Sequence, residues 1–80
     1  MNKYILGISC YFHDSAICLL KNGQIISAVQ EERFTGIKND SSFPYRSIEW
    51  CLKTNNITSN DLTYIVFYEK PLKKFLRVLN

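Results

Sequence analysis

The chain has 80 residues, 46% of them hydrophobic, and a formal net charge of +3 at pH 7. This length fits one small domain or part of one. The three cysteines have no CxxC spacing and are odd in number, so free thiols in a reducing compartment are favoured over a disulfide framework. No apolar run approaches the ~20 residues of a membrane span, so we expect a cytoplasmic protein without a membrane partner.

The first part of the sequence predicts three antiparallel strands. They are expected at residues 4–11, 16–21 and 24–30. The first run is almost entirely apolar, which is typical of a central strand buried on both faces. Asn22-Gly23 joins the other two, and this pair favours a two-residue type I′ turn because both central residues take positive φ.

The turn also predicts which residues face each other across the hairpin. Without a bulge, the pairs are Lys21 with Gln24, Leu19 with Ile26, Ile17 with Ala28, Asp14 with Glu31, and His13 with Glu32. A histidine, three carboxylates and Arg33 would then gather at the edge of the sheet opposite the turn. An ordinary hairpin has no need of such a cluster.

The second part predicts helix, strand and helix after a polar loop at residues 36–42. Pro44 suits the first turn of a helix, with Ser41 or Ser42 as its cap, and Asn55 ends it. A short helical turn follows at residues 59–62, and an apolar run at 64–68 predicts a second central strand. Pro71 then opens a helix with an apolar stripe at i, i+3, i+4 and i+7: Leu72, Phe75, Leu76 and Leu79.

The order β-β-β-α-β-α predicts an α/β fold with a mixed sheet. The crossover makes the fourth strand parallel to the third and to the first, and it should lie beside the first. Ligands of such sheets bind outside the carboxyl ends of the parallel strands. The polar residues expected at that edge are His13, Asp14, Ser15, Glu31, Glu32, Arg33, Glu69 and Lys70.

The basic residues near the end of the chain favour no nucleic-acid partner. They lie on one face of the last predicted helix, which is typical of a solvated face, and no base-stacking motif accompanies them: Lys70, Lys73, Lys74 and Arg77. The apolar stripe of this helix continues to the last residues without a cap. We therefore expect a truncated piece of a larger protein.

The ordered blocks of the sequence resemble the N-terminus of the nodulation-protein-type O-carbamoyltransferases. The blocks are Ile5-Leu6-Gly7-Ile8, His13-Asp14-Ser15-Ala16, Gln30-Glu31-Glu32-Arg33-Phe34-Thr35, Lys38, Phe43-Pro44 and Val66-Phe67-Tyr68-Glu69-Lys70-Pro71-Leu72. The resemblance implies an actin- and hexokinase-like ATPase fold, of which residues 1–80 would form an incomplete N-terminal part. That part would be a half-lobe of the ribonuclease-H-like type.

The resemblance also implies a reaction in two steps. Carbamoyl phosphate and ATP give a carbamoyl adenylate, and the carbamoyl group then passes to a hydroxyl of a sugar or natural product. The cofactors implied are ATP and a divalent metal, iron or magnesium, and the remainder of the carbamoyltransferase chain is the implied protein partner. His13 is the only histidine, so the metal-binding HxxxH motif of the family is expected downstream, with no metal ligand in this chain.

Matching the family motif residue by residue assigns the candidate site. His13 matches the active-site histidine and is the proposed base, and Lys38 matches a lysine expected to meet a phosphate or carbamoyl group. The other candidate binding residues are Asp14, Ser15, Glu32 and Arg33. Two positions depart from the family pattern, since Gly36 stands where a basic residue is usual and Asn39 where a histidine is frequent.

Two other interpretations stay open. The chain could be a non-catalytic truncated module that binds a partner through its sheet edge, or part of another actin-like enzyme, of the sugar-kinase or tRNA-threonylcarbamoylating type. Sugar kinases carry an Asp-x-Gly phosphate loop after the first strand, and the stretch Ile5-Leu6-Gly7-Ile8-Ser9 has no such aspartate. On any of these interpretations we expect the 80-residue chain alone to be inactive as an enzyme.

Overall fold

A computed structural model describes residues 2–11 and 14–68 of the chain. The strands are β1 (Tyr4–Ser9), β2 (Ala16–Lys21), β3 (Gln24–Gln30) and β4 (Leu62–Phe67). The helices are α1 (Glu32–Thr35), α2 (Tyr45–Thr54) and a 3-10 turn (Ser59–Asp61). His13 and the helix predicted from Pro71 lie outside the described residues.

The four strands form one mixed sheet in the order β3-β2-β1-β4. β2 is antiparallel to both β1 and β3, whereas β4 is parallel to β1 and lies beside it. These directions confirm the predicted α/β fold, and they agree with half of a ribonuclease-H-like lobe. Among the described residues β4 is an edge strand, and the prediction of a second central strand is wrong. An apolar run indicates that a segment forms a strand, but it does not show how many strands lie beside it.

The hairpin turn has the predicted conformation. Asn22 and Gly23 have φ values of 52° and 86°, the positive values that a type I′ turn requires. Lys21 faces Gln24, as predicted. The turn residues therefore determine the first pair of the hairpin.

A β-bulge shifts the rest of the hairpin by one residue. Leu20 faces Ile25, but Leu19 faces Ser27, so Ile26 is the extra residue and the predicted Leu19–Ile26 pair is wrong. Ile17 consequently faces Val29, which is buried, in place of Ala28, which is exposed. Since a slip of one residue moves side chains to the other face of a sheet, the bulge brings Val29 into the core.

The same shift overturns the predicted pairing at the sheet edge. The backbone N–H of Glu31 donates to the carbonyl of Ser15 at 2.9 Å, so Ser15 takes the position predicted for Asp14. The chain does not continue as a strand past this point, because Glu32 begins helix α1.

Apolar side chains form two clusters on opposite faces of the sheet. The larger cluster lies beneath α2 and consists of Leu6, Ile8, Cys10, Ile17, Leu19, Val29 and Cys51. On the other face, Cys18 and Leu20 pack with Ile5, Val66 and Tyr68. Four consecutive residues of β2, residues 17–20, are buried, so this strand is covered on both faces.

Helix α2 begins without a side-chain cap of its own. Pro44 is its N-cap residue and not part of its first turn, and neither Ser41 nor Ser42 caps it, contrary to the prediction. The helix ends at Asn55, as predicted. No helix in the described residues combines the length and the apolar composition needed to cross a membrane.

Candidate functional site

Two polar segments meet at the sheet edge where β1 ends. The first is the β1–β2 connection, residues 10–15, and the second is the polar loop, residues 36–42. The backbone N–H of Tyr11 donates to the carbonyl of Ser41 at 2.6 Å, and the N–H of Ser15 donates to the carbonyl of Asp40 at 2.7 Å. These two bonds hold the polar loop against both ends of the segment that contains Phe12 and His13, residues outside the described part of the chain.

The structure places Asp14 and Ser15 differently with respect to solvent. Asp14 is half-buried, whereas Ser15 is fully buried and its hydroxyl donates to the carbonyl of Ser42. The Ser15 hydroxyl is thus already engaged in joining the connection to the polar loop. The proposed binding role of both residues stays a prediction.

Glu32 contacts the polar loop. Its carboxylate accepts a hydrogen bond from the backbone N–H of Asn39 at 2.9 Å. Asn39 has a φ of 57°, and the N–H of Asp40 donates to the carbonyl of Ile37 at 3.2 Å, so residues 37–40 form a turn. Lys38 lies within this turn and is exposed.

Arg33 and Lys38 are the two cations that the sequence assigns to the site. Both side chains are exposed, Arg33 in helix α1 and Lys38 in the turn that Glu32 holds. An exposed guanidinium and ammonium have the chemistry to bind a phosphate group. Two exposed cations, Arg33 and Lys38, and two half-buried carboxyl groups, Asp14 and Glu32, thus belong to the segments that meet at this edge.

Sequence reasoning missed Asp40, which organises the polar loop. One of its carboxylate oxygens accepts from the N–H and the hydroxyl of Ser42, at 2.9 and 2.6 Å, and the other accepts from the hydroxyl of Thr35 at 2.9 Å. The Ser42 hydroxyl, then the Ser42 N–H and the Thr35 hydroxyl, hold the pKa of the Asp40 carboxyl below its usual value. The Asp40-Ser41-Ser42 spacing is a turn signal that could have indicated this role.

Glu31 has a structural role. The residue is only 2% exposed, and its carboxylate accepts from the N–H of Ser47 at 2.8 Å, the Ser47 hydroxyl at 2.7 Å and the N–H of Arg46 at 3.2 Å. These backbone groups belong to the first turn of α2, where an anion is favoured by unpaired N–H groups and the helix dipole. Glu31 therefore binds the backbone of α2, whereas Glu32 is the glutamate that contacts the polar loop.

Metal-ligating side chains are dispersed in the described part of the chain. No three His, Cys, Asp or Glu residues among 2–11 and 14–68 come together in a group that could hold a metal ion. The expectation that the family's metal ligands lie downstream stays a prediction.

Comparison with known proteins gives one family and several relatives. The profile of the family described as carbamoyltransferase N-terminus matches residues 4–80. An uncharacterized protein of Synechocystis sp. is 57% identical over 76 residues, which is 95% of this chain and 12% of the relative. Nodulation protein NolNO of Sinorhizobium fredii is 40% identical over 58 residues, or 72% of this chain and 8% of the relative.

An archaeal protein extends the range of organisms. An uncharacterized protein of Methanocaldococcus jannaschii is 36% identical over 84 residues, which cover 95% of this chain and 16% of the relative. This chain therefore spans less than a fifth of the length of each of these three relatives.

Proposed function

This chain belongs to the carbamoyltransferase N-terminus family, and we propose that it forms the first part of an O-carbamoyltransferase. The proposed enzyme uses carbamoyl phosphate, ATP and one water molecule to form carbamoyl adenylate, with release of phosphate and pyrophosphate. The hydroxyl of a sugar or natural product then attacks the carbamoyl carbon, and AMP leaves. The remainder of the enzyme is supplied by the longer parent chain.

One observation carries the proposal: the family profile covers the sequence from residue 4 to residue 80. The geometry supports it, because the matched block that precedes β2 meets the matched block that follows β3 at one sheet edge, through the hydrogen bond from the Glu31 N–H to the Ser15 carbonyl. That edge lies at the carboxyl end of the parallel strands β1 and β4, where ligands of α/β sheets bind.

The proposed roles follow from the chemistry of each side chain. His13 is the base that takes the proton of the acceptor hydroxyl, and Asp14 orients it or the hydroxyl. Lys38 and Arg33 bind the phosphate groups of carbamoyl phosphate or ATP, an interaction suited to exposed cations. Ser15 and Glu32 hold these groups in place through their bonds to the polar loop.

ATP supplies the adenylyl group that activates the carbamoyl carbon. In this chain the groups that fit its phosphates are the exposed cations Lys38 and Arg33. The divalent metal is assigned to the HxxxH motif that the family resemblance places downstream of this chain. We place the enzyme in the cytoplasm because Cys10, Cys18 and Cys51 are all buried free thiols, as a reducing compartment favours.

The test uses the full-length parent protein with carbamoyl phosphate, ATP, a divalent metal and a panel of hydroxylated acceptors. Formation of a carbamoylated product with release of AMP supports the proposal. Phosphorylation of the acceptor with release of ADP would instead identify a sugar kinase, and the absence of any product from all acceptors would favour a binding module. The 80-residue chain serves as a control and should form no product.

Variants of the parent test the individual roles. His13→Ala should lower the rate of transfer by about 10²–10⁴-fold, the usual contribution of a general base. Lys38→Ala should raise KM for carbamoyl phosphate or ATP, because its proposed role is charge. The matched control is Lys53→Ala, which removes an exposed lysine from the last turn of α2 and should leave both constants unchanged.

A further inference from the structure

We propose that Asp40 is a positioning residue that fixes the Lys38 turn against the β1–β2 connection. The kinetic part of this inference rests on the proposed function, whereas the structural part does not. Asp40 was not among the residues that the sequence assigned to the site, and none of its atoms needs to touch a substrate for the role proposed here.

Every polar group of Asp40 has a partner in the structure. Its N–H donates to the carbonyl of Ile37, and its carbonyl accepts from the N–H of Ser15. Its carboxylate accepts from Ser42 through two donors and from Thr35 through one. The residue is 7% exposed, so these bonds are only partly replaceable by water, and together they join the polar loop to the end of α1 and to the β1–β2 connection.

The bonds made by Asp40 set the distance between the two candidate parts of the site. On one side is the turn of residues 37–40, which carries Lys38 and is closed by the Asp40 N–H. On the other side is the connection that carries Asp14, held by the carbonyls of Asp40 and Ser41. Removing the carboxylate frees Ser42 and Thr35, so both the turn and the connection lose their common anchor.

A carboxylate is better suited to this position than a neutral side chain. All three of its partners are donors, namely one N–H and two hydroxyls. An amide at this position offers one acceptor oxygen and presents its NH₂ group toward one set of donors. Asp40→Asn should therefore keep the Ser42 bonds and weaken the Thr35 bond, whereas Asp40→Ala removes all of them.

The first test is hydrogen exchange of the full-length parent, read by mass spectrometry in peptides that span residues 11–15 and 37–42. The Tyr11 and Ser15 amides donate to the backbone carbonyls of Ser41 and Asp40, and Asp40→Ala leaves both carbonyls in place. Faster exchange of these amides would therefore mean that the polar loop is no longer held in position, because no acceptor has been removed. We expect exchange in both peptides to accelerate by roughly tenfold, as local opening becomes easier. Unchanged exchange in residues 11–15 would overturn the proposal.

The matched control is Asp61→Ala at the opposite end of the sheet. Asp61 makes the same kind of bonds, accepting from the N–H and hydroxyl of Thr58, but it precedes β4 and lies at the amino end of the parallel strands. Exchange should then accelerate near Thr58 and stay unchanged in residues 11–15. Acceleration of residues 11–15 in this control would mean that general destabilisation, and not Asp40, governs the connection.

The second test is kinetic and depends on an active parent enzyme. Misplacement of reacting groups by about 1 Å can cost about a hundredfold in rate, so we expect Asp40→Ala to lower kcat by roughly tenfold to a hundredfold. KM for carbamoyl phosphate should rise as well, because Lys38 is displaced. A rise in KM separates this effect from partial unfolding, since a smaller folded fraction would lower kcat without changing KM. Asp40→Asn should recover part of both constants, and Asp61→Ala should leave them unchanged.

The two tests separate failure of this inference from failure of the proposed function. If the wild-type parent transfers no carbamoyl group, the proposed function fails, and the exchange comparison still decides the positioning of the connection. If the parent is active and Asp40→Ala accelerates exchange with normal kinetic constants, the positioning role in catalysis is wrong. If Asp40→Ala does not fold, Ser42→Ala replaces it in both tests. This variant removes only the hydroxyl donor of the exposed Ser42 from the network. The expected changes in exchange rate, kcat and KM have the same direction and are smaller.

Discussion

Replacement of Glu31 by alanine should destabilise the fold through loss of the anion that caps helix α2. Pro44, the N-cap residue, has no side-chain hydrogen bond to the helix, and Glu31 accepts bonds from the second and third helical residues in its place. The cap is unusual because it comes from the residue that follows β3, 15 and 16 residues before the two helical residues that it binds. It therefore joins the helix to the sheet as well as satisfying its first turn.

The magnitude follows from which donors lose their partner. Arg46 is exposed, so its N–H can turn to water, but Ser47 is fully buried and would keep an unpaired N–H and an unpaired hydroxyl. Leaving a buried donor unsatisfied costs about 1–3 kcal/mol, and loss of an N-cap costs about 0.5–2 kcal/mol. These terms overlap, so we expect Glu31→Ala to cost about 3 kcal/mol and Glu31→Gln, which keeps one acceptor for Ser47, about 1 kcal/mol.

Urea unfolding followed by tryptophan fluorescence measures this change directly. Trp50 is the only tryptophan, lies in α2, and packs near Phe34 with ring centroids 6.0 Å apart. With a urea m-value of about 1 kcal/mol/M, the midpoint should fall by about 3 M for Glu31→Ala. The matched control is Glu32→Ala, which removes one bond to a backbone N–H at a half-buried position and should cost less than about 1.5 kcal/mol. Equal costs for the two alanine variants would refute the assignment of the cap to Glu31.

Three further expectations concern single residues. Gly23→Ala should lower the free energy of unfolding in urea by about 1 kcal/mol, because alanine is strained at positive φ. No steric clash adds to this cost, since the new Cβ would meet no atom within 4 Å, and Gly23→Asn should cost less. The pKa of the Asp40 carboxyl is lowered in the folded chain, so its stabilising effect is fully present above the unfolded-state pKa near 3.9. The effect is lost as the pH falls from there through the lower folded-state pKa. Asp40→Asn should therefore flatten the acid limb of a stability–pH curve. Burial raises the pKa of the Cys18 thiol to about 11, so a thiol-specific disulfide reagent at pH 8 should modify it slowly in the native chain and rapidly in urea.

Local signals in the sequence were sufficient for most of the fold. Asn22-Gly23 determines a type I′ turn by backbone conformation, and the apolar runs determine the strands by burial. Both features depend on residues that are neighbours in the chain, so both can be predicted from short stretches of sequence. The parallel arrangement of β1 and β4 then follows from the intervening helix. Where the prediction failed, the deciding interaction joins residues that are far apart in sequence.

The bulge in β3 is the clearest of these failures. The turn alone favours an unbroken register, but burying Val29 beneath α2 and placing the Ser27 hydroxyl where Asn55 donates to it at 2.8 Å both require one extra residue. The free energy of burying an apolar side chain, about 1.5–3 kcal/mol, outweighs a local irregularity in the ladder. Nothing within the hairpin itself indicates this competition.

The position of the bulge also explains how two adjacent glutamates come to have different roles. With the shifted register, the N–H of Glu31 bonds to Ser15 and its carboxylate is buried against α2, while Glu32 begins α1 and holds the N–H of Asn39. One glutamate thus fixes the helix and the other fixes the turn that carries Lys38. In the unshifted register Asp14 would take the place of Ser15, and a carboxylate would stand where a buried hydroxyl now donates to Ser42. An unpaired charge there would be costly to bury, so the packing of β3 under α2 determines, at a distance, which side chains are left free to form the candidate site.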